Sequence, residues 1–497
     1  MKKRLLYFIA SFVFILASCT GQPKDCISGS KVNIFPDYTD ITVPANIAPV
    51  NFMIQDDAQK YFTVLEAGSL KVKISGRKVC IPAGKWRKLT AQGMITVTVY
   101  ECKDGKWTRM NPFNINVADE IDSYISYRVI PPLYESYMRL SINQRNLTNF
   151  KEKVIYANSM ASKGANLQCI NCHSFKNWHT DNMQFHIRQY LGGTILYRQG
   201  KLEKLNLKTD STISAAVYPT WHPTHDYIAY STNKTFQNFH TNHTNRIEVF
   251  DEESDLILFN LSDESVSIIE NDPAEWECYP SWAPDGKTLY YVSAYLGDPA
   301  EVKKKGGAVT ANANATFKYS LYSKKFDPDR REWSRKEMFY DAAAVDSSIT
   351  WPRVSPDGRW LVCCISTHGV FPPNQEVSDL MMFDLKNGTH RYLDEVNSNK
   401  SESYHSWSSN GKWLVISSRR EDGVHTRLYL AHLNSDGTFS KPFLLPQKDP
   451  EFSKKFMYSF NIPEFTVEPV KVSPRVLASF VKSVDATPVS FEQKIGE

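Results

Sequence analysis

The sequence lacks any long run of basic residues, and its positive and negative charges nearly balance. Its 58 Lys and Arg stand against 54 Asp and Glu, which gives a net charge of +4 over 497 residues. Three of the positive charges lie at residues 2–4, and the longest later basic run is residues 303–305. Nucleic-acid-binding proteins carry a concentrated basic surface, so we expect no nucleic-acid partner.

The sequence also lacks the short motifs of common hydrolases. It contains neither the G-x-S-x-G nucleophile elbow nor the H-E-x-x-H zinc motif. Wholesale disorder is excluded as well, because hydrophobic residues make up 42% of the chain and charged residues 23%. We therefore expect a folded protein that is not an enzyme.

Only one long apolar run is present, at residues 5–17. It has the length of a signal-peptide core and is too short to span a bilayer comfortably. It ends in Leu16-Ala17-Ser18-Cys19, which resembles the lipobox of bacterial lipoproteins. We expect a signal peptide over 1–18, lipidation of Cys19, a tether over 19–31, and a lipid anchor in the bacterial cell envelope, on the periplasmic side or the outer membrane. The alternative is an ordinary secretory signal.

The segment after the tether alternates apolar and polar residues with period two. This alternation is clearest in Ser69–Ser75 and Met94–Tyr100, and turn residues separate the two. It predicts a small N-terminal β domain over 32–117, similar to a sandwich. The following residues, 118–191, read as a connector with a helix and an irregular arm over 141–159.

The cysteines fall into two groups. Cys19 is assigned to lipid, and Cys169 and Cys172 belong to the motif described below. The other six are an even number in a compartment that permits disulfides: Cys26, Cys80, Cys102, Cys278, Cys363 and Cys364. Cys80 and Cys102 could pair, but the sequence does not determine the pairing.

The connector contains Cys169-Ile170-Asn171-Cys172-His173, the C-x-x-C-H pattern of c-type haem attachment. Two thiols at this spacing can bond to the two haem vinyl groups, and the adjacent His can be the proximal iron ligand. We therefore expect one covalent haem c. A C-x-x-C disulfide, a zinc site and a thioredoxin-like motif are alternatives. No second C-x-x-C supports zinc, and no βαβ pattern supports thioredoxin.

The sixth iron ligand is open. Met183, His186 and His240 are the candidates, and His179 lies too near the motif in sequence to fold over a haem. A Met ligand would raise the reduction potential and a second His would lower it. A metal cluster of His222, His225, His240 and His243 is conceivable, although solvated loop histidines are the default interpretation.

From residue 218 onwards a segment recurs four times. Its copies begin at Tyr218, Tyr279, Trp351 and Tyr404, and each leads through a Pro-Asp-Gly-like turn into a strand that ends in Ser. This pattern predicts a β-propeller over 192–497 with about six blades. The predicted fold class is mainly β: a sandwich-like domain, a short irregular or helical haem-binding connector, and the propeller.

The four copies resemble the PD40 repeats of TolB-like β-propellers. The whole chain resembles propeller lipoproteins of Bacteroidota-type bacteria with one C-x-N-C-H motif, through 137–146, 169–175 and 183–188. This resemblance supports the architecture and the haem and implies no reaction. We expect electron transfer or redox sensing with an unknown redox or envelope protein partner, the propeller serving as docking scaffold. The alternative is a binding module for a protein or glycan, with haem absent or purely structural.

Overall fold

The computed structural model describes residues 22–23, 26–131, 139–239, 247–297 and 317–492. The predicted signal peptide, Cys19, His240 and His243 lie outside these residues. Within the described ranges, no helix has both the length and the apolar character that crossing a membrane requires. Most of the regular structure in the described residues is β-strand.

An N-terminal β domain is present, as predicted for 32–117, and its strands extend from 26 to 118. Strands β1, β9, β8, β10 and β3 lie in that order in a seven-stranded sheet that also holds β5 and β6, and β2, β4 and β7 form a second sheet. The elements are β1 (Cys26–Lys31), β2 (Ile34–Phe35), β3 (Ile41–Pro44), β4 (Phe52–Ile54), β5 (Lys60–Ala67), β6 (Leu70–Ser75), β7 (Lys78–Val79), α1 (Ala83–Thr90), β8 (Ile95–Lys103), β9 (Lys106–Asn111) and β10 (Phe113–Ala118).

The rest of the chain forms six sheets of four or five strands, which we number as blades in chain order. Blade one contains β11 (Tyr124–Ile130), β12 (Ser141–Asn146) and β13 (Glu152–Ala157), and blade two contains β14 (Gln168–Lys176), β15 (His179–Gln189), β16 (Gly193–Arg198) and β17 (Lys201–Asn206). Blade three contains β18 (Ala216–Trp221), β19 (Tyr227–Phe239), β20 (Ile247–Asn260) and β21 (Ser265–Glu270).

The remaining blades follow the same plan. Blade four contains β22 (Glu275–Trp282), β23 (Thr288–Tyr295), β24 (Tyr319–Asp327), β25 (Glu332–Trp333) and β26 (Glu337–Tyr340). Blade five contains β27 (Ser348–Val354), β28 (Trp360–Ser366), β29 (Asp379–Asp384) and β30 (Thr389–Tyr392). Blade six contains β31 (Glu402–Trp407), β32 (Trp413–Ser418), β33 (Arg427–His432) and β34 (Phe443–Leu444).

The C-terminal segment closes the ring. After α2 (Phe452–Lys455), β35 (Ser459–Thr466) pairs antiparallel with β11 and becomes the inner strand of blade one. The inner strands β35, β14, β18, β22, β27 and β31 each contact the next around the axis. The six-bladed propeller predicted from the repeats is therefore confirmed. Then α3 (Pro474–Ser483) follows, and β36 (Thr487–Pro488) and β37 (Ser490–Phe491) add short edges to blades two and three.

The segment 118–191 differs from its predicted role as an irregular connector. It supplies three strands of blade one and the first two strands of blade two, so the propeller begins at 124 and not at 192. Residues 141–157 are strands β12 and β13 and not a helix. The sequence does not reveal strand β12, because this strand lies between two others in its sheet and buries the polar residues Gln144 and Arg145.

Each inner strand of the propeller is interrupted by a bulge. The residue at the bulge has a left-handed backbone in five blades, a conformation that is uncommon for residues other than glycine: Cys172 (φ 53), Tyr218 (φ 51), Tyr279 (φ 53), Trp351 (φ 54) and Ile462 (φ 52). A bulge re-aims a side chain and bends its strand. All five residues line the same small axial cavity, so the bulges point one side chain per blade at the axis.

Candidate functional site

The C-x-x-C-H motif lies on β14, the inner strand of blade two, at the position that the repeat occupies in the other blades. The left-handed bulge residue is Cys172 in β14 and Tyr218 in β18. Cys172-His173-Ser174-Phe175 therefore matches Tyr218-Pro219-Thr220-Trp221 residue for residue. The shared Ser or Thr and the following aromatic residue were the sequence signal that could have placed this strand in the propeller.

The axis beside the motif is closely packed with aromatic rings. Tyr218 and Tyr279 have ring centroids 4.5 Å apart, Tyr279 and Trp351 4.8 Å, and Trp351 and Tyr404 4.5 Å, all in edge-to-face geometry. The cavity that Cys172 and His173 share with Tyr218, Tyr279 and Trp351 has a volume of about 20 Å³. That is room for one water molecule.

The side chains of the motif contact two neighbouring blades. Ile170 lies in the apolar core between blades one and two, and Cys169 packs against the same core. Asn171 donates to Cys169 Sγ at 3.5 Å. At the bulge, the backbone of Tyr218 in blade three interacts with the Cys172 thiol, and backbone groups of blade one interact with His173.

His173 is buried and neutral. Burial, together with the nearby Arg128 guanidinium, lowers the pKa of His173 to about 3, and the exposed fraction of the residue is 2%. The carbonyls of Ser126 and Ile462 oppose this shift, but neither ring nitrogen makes a hydrogen bond of normal geometry. A buried polar group without a partner is rare in folded proteins and calls for an explanation.

The position equivalent to His173 in blade six is also occupied by a histidine, which allows a direct comparison. His405 follows the bulge of blade six as His173 follows that of blade two, and burial lowers its pKa to about 4. Its Nε2 lies 3.0 Å from the carbonyl oxygen of Val362 in the preceding blade, and its Nδ1 lies 3.2 Å from that of Ser403. Because a neutral imidazole has one N–H, His405 can donate to only one of these carbonyls, and the Cys364 thiol, 3.7 Å from Nδ1, can donate to the other nitrogen. A histidine at this position can therefore find partners within the protein, whereas neither ring nitrogen of His173 has one of normal geometry.

The candidates for a sixth iron ligand are divided between the two faces of blade two. Met183 is buried, pairs with Phe175 and belongs to the core between blades one and two. His186 pairs with Asn171, contacts Thr194 Oγ1 through Nδ1 at 3.1 Å, and burial lowers its pKa to about 3. Both lie on β15, beside the motif in the same sheet, so neither lies opposite His173.

The two thiols and the imidazole of the motif are chemically suited to hold a c-type haem. Cys169 is partly exposed, Cys172 is a buried thiol whose pKa is raised by burial, and the unpartnered neutral imidazole of His173 is the form that binds iron. The cavity beside Cys172 and His173 holds one water and has no room for a haem. A haem-bearing chain therefore requires residues 169–173 to leave this strand conformation.

A wider cavity of about 190 Å³ opens at one mouth of the axis. Its wall includes Trp178 and the three tryptophans of the repeats, Trp221, Trp282 and Trp407. Arg353 and Glu464 line both cavities and form an ion pair at 3.6 Å. The mouth thus combines aromatic surface with one neutralised pair of charges.

The sequence matches no protein-family model and no curated protein sequence. Solved structures of similar arrangement include TolB from Acinetobacter baumannii, with a TM-score of 0.42 and 13% identity over 77% of this chain and 85% of that one. A Synechocystis apocarotenoid oxygenase mutant has a TM-score of 0.37 and 12% identity over 85% of this chain and 95% of that one. A DUF4784 family protein from Bacteroides caccae has a TM-score of 0.30 and 9% identity over 72% and 95%. The blade count given above comes from the sheets themselves.

Two members of the conceivable histidine cluster, His240 and His243, lie outside the described residues. Among the described residues, no three His, Cys, Asp or Glu side chains are grouped to hold a metal. His222 accepts from the backbone N–H groups of Thr224 and His225 through Nδ1, and its Nε2 lies 2.7 Å from the Gly286 carbonyl oxygen. It thus braces a turn of blade three against blade four, and burial lowers its pKa to about 4.

The suggested bridge between Cys80 and Cys102 is not formed. Both cysteines are free, Cys80 exposed and Cys102 buried in β8. The adjacent Cys363 and Cys364 are both fully buried, and Cys364 lies 3.7 Å from His405 Nδ1. Burial raises the pKa of both thiols, which makes them poor nucleophiles.

Proposed function

We propose that this chain is an envelope lipoprotein that carries one covalent c-type haem and uses its propeller as a docking scaffold for electron transfer or redox sensing. The observation that carries the proposal is His173, a buried neutral imidazole that makes no hydrogen bond of normal geometry and directly follows the buried thiol of Cys172. Cys169 and Cys172 would hold the haem and His173 would bind its iron. The haem would supply reversible one-electron exchange.

The same proposal includes export and lipid anchoring. Its support is the segment Leu16-Ala17-Ser18-Cys19 at the end of the apolar run. Export would place the thiols of the haem motif and the six remaining cysteines in an oxidising compartment outside the cytoplasm, which permits disulfides. Metabolic labelling with a fatty acid, lost in Cys19→Ala, tests the anchor independently of the haem.

Haem attachment is tested by co-expressing the chain with c-type maturation enzymes and staining a denaturing gel for haem peroxidase activity. We expect a stained band for the wild type and none for the Cys169→Ala/Cys172→Ala double variant, since the thioethers are what survive denaturation. His173→Ala should keep the stain and change the visible spectrum. The matched control is Cys80→Ala, an exposed free cysteine outside the motif. A soluble, folded wild type without stain removes the proposal.

A second candidate is a propeller that binds a peptide or glycan at the mouth of its axis, with haem absent or purely structural. The observation that favours it is the aromatic cavity of about 190 Å³, since ligand sites are concave and mostly apolar with a few polar groups. We expect haem-free protein to bind members of a peptide or glycan array, with at least tenfold weaker binding in Trp178→Ala. Trp333→Ala, on the outer strand of blade four, is the control. Equal binding by both variants contradicts this function.

A further inference from the structure

The N-terminal domain carries an excess of positive charge that the propeller does not share. Residues 26–118 contain 12 Lys and Arg against seven Asp and Glu, whereas residues 119–497 contain 42 against 46. Charge of one sign that is concentrated on one part of a protein attracts surfaces of the opposite sign. The N-terminal domain is therefore the part of the chain that an anionic surface would attract.

The seven-stranded sheet of this domain turns one face towards the propeller. Leu65, Val72 and Val99 lie in one core cluster with Trp413 of blade six. Side chains alternate along a strand, so the residues between them form the opposite face, which we call the outer face. Its members are Lys60, Phe62, Val64 and Glu66 on β5, Lys71 and Lys73 on β6, Thr98, Tyr100 and Cys102 on β8, and Trp107 and Arg109 on β9.

The predicted tether lies against the outer face. Phe62 and Tyr100 form a small apolar cluster there, with Trp107 packed against it, and Gln22 Nε2 donates to the Tyr100 hydroxyl at 2.7 Å. Cys19, the expected lipidation site, precedes Gln22 by three residues. Three extended residues span at most about 11 Å. A lipid on Cys19 would therefore hold the outer face close to the bilayer.

The apolar cluster is surrounded by basic side chains. Lys60, Lys71, Lys73 and Arg109 are all exposed. Glu66 is the one acid on the outer face of these four strands, and it pairs with Lys71 at 2.5 Å. The other three basic side chains form no ion pair within the described part of the chain. Three unneutralised positive charges thus lie on the face that carries the tether.

We propose that the outer face of the N-terminal domain docks on a membrane surface that contains anionic lipid headgroups. The inference rests on the lipid anchor of the proposed function and adds a second contact to it, since stable anchoring usually combines an acyl chain with another signal. Each Lys or Arg close to such a surface strengthens membrane binding about fivefold. The propeller would then lie on the far side of the domain from the membrane.

The test uses the chain from residue 20 onwards, which keeps every described residue but has no acyl chain. We measure its co-sedimentation with phosphatidylcholine vesicles that either contain or lack phosphatidylglycerol. We expect binding to the anionic vesicles alone, and its loss at about 1 M salt, where the Debye length is ~3 Å. Lys60→Gln/Lys73→Gln/Arg109→Gln should weaken this binding about 100-fold.

The matched control is Lys201→Gln/Lys208→Gln/Lys412→Gln, which removes three exposed positive charges from the propeller and should bind as the wild type does. Equal binding to both kinds of vesicle would overturn the docking surface, and so would equal weakening by the two triple variants. Near-ultraviolet circular dichroism verifies that each variant is folded. Failure of the lipid anchor is detected separately, because absence of fatty-acid label on the full chain leaves the vesicle measurement unaffected.

Discussion

A chain that ends after Met457 should lose cooperative folding completely. It lacks β35, so blade one has no inner strand and the ring between blades six and two stays open. The strand also contributes Phe460, Ile462 and Phe465, all at least nine-tenths buried. Removing buried side chains of this size costs about 3–5 kcal/mol each, which together consumes the ~5–15 kcal/mol that stabilises a typical domain. Near-ultraviolet circular dichroism and urea unfolding measure the loss.

The matched control ends after Asp485. It keeps β35 and α3 and removes only β36 and β37, which add two residues each to the edges of blades two and three. This chain should unfold cooperatively, with a midpoint slightly below that of the full chain. If the chain that ends after Met457 also retained a sharp urea transition and a native near-ultraviolet signal, closure by β35 would not hold the propeller together.

Replacing Glu277 by Gln should stabilise the protein at pH 8 by several kcal/mol, on the order of 3. Glu277 lies on β22 with none of its surface exposed, and Oε2 has no hydrogen-bond partner. Burial, reinforced by Asp255, Glu270 and Glu275, raises its pKa to about 9. A glutamine at this position has no proton to lose and can keep the 3.3 Å hydrogen bond that Oε1 accepts from the Asp272 N–H.

The direction of the pH dependence follows from proton counts. The unfolded chain loses the Glu277 proton near pH ~4.3, whereas the folded chain retains it to about pH 9. Between these values the folded state holds one more proton, so this group makes the free energy of unfolding fall as pH rises. Denaturant unfolding from pH 5 to 8.5 should show this slope in the wild type and a flatter one in Glu277→Gln. The control is Glu253→Gln, a largely exposed carboxylate 3.3 Å from Lys234, which should change stability by less than ~0.5 kcal/mol. Parallel slopes in all three proteins would contradict the prediction.

The sequence predicts the propeller where its repeats keep the aromatic start and a Pro-Asp-Gly-like turn. Blades three to six meet this condition through Tyr218, Tyr279, Trp351 and Tyr404. Blades one and two do not, because Cys172 replaces the axial aromatic and Ile462 comes from a strand almost 300 residues further along the chain. Strand pairing between distant segments leaves no pattern in the local sequence, and for this reason the sequence predicts a connector over 118–191.

The candidate site, like the fold, is predictable from the sequence only in part. The motif Cys169–His173 is evident from spacing alone, and the chemistry of its donors needs no structure. Its position on an inner strand, and the bulge at Cys172 that places Cys172 at the axial cavity, are not encoded in the spacing.

Because β35 lies near the end of the sequence, the propeller ring can close only late in the synthesis of the chain. β14 emerges early, while β35 follows almost 300 residues later. At the translation rate of ~5–20 residues per second, the inner face of β14 stays accessible for about 15–60 s before the last blade can seal it. Before closure, Cys172 on β14 is not yet covered by β35 and remains open to a modifying enzyme.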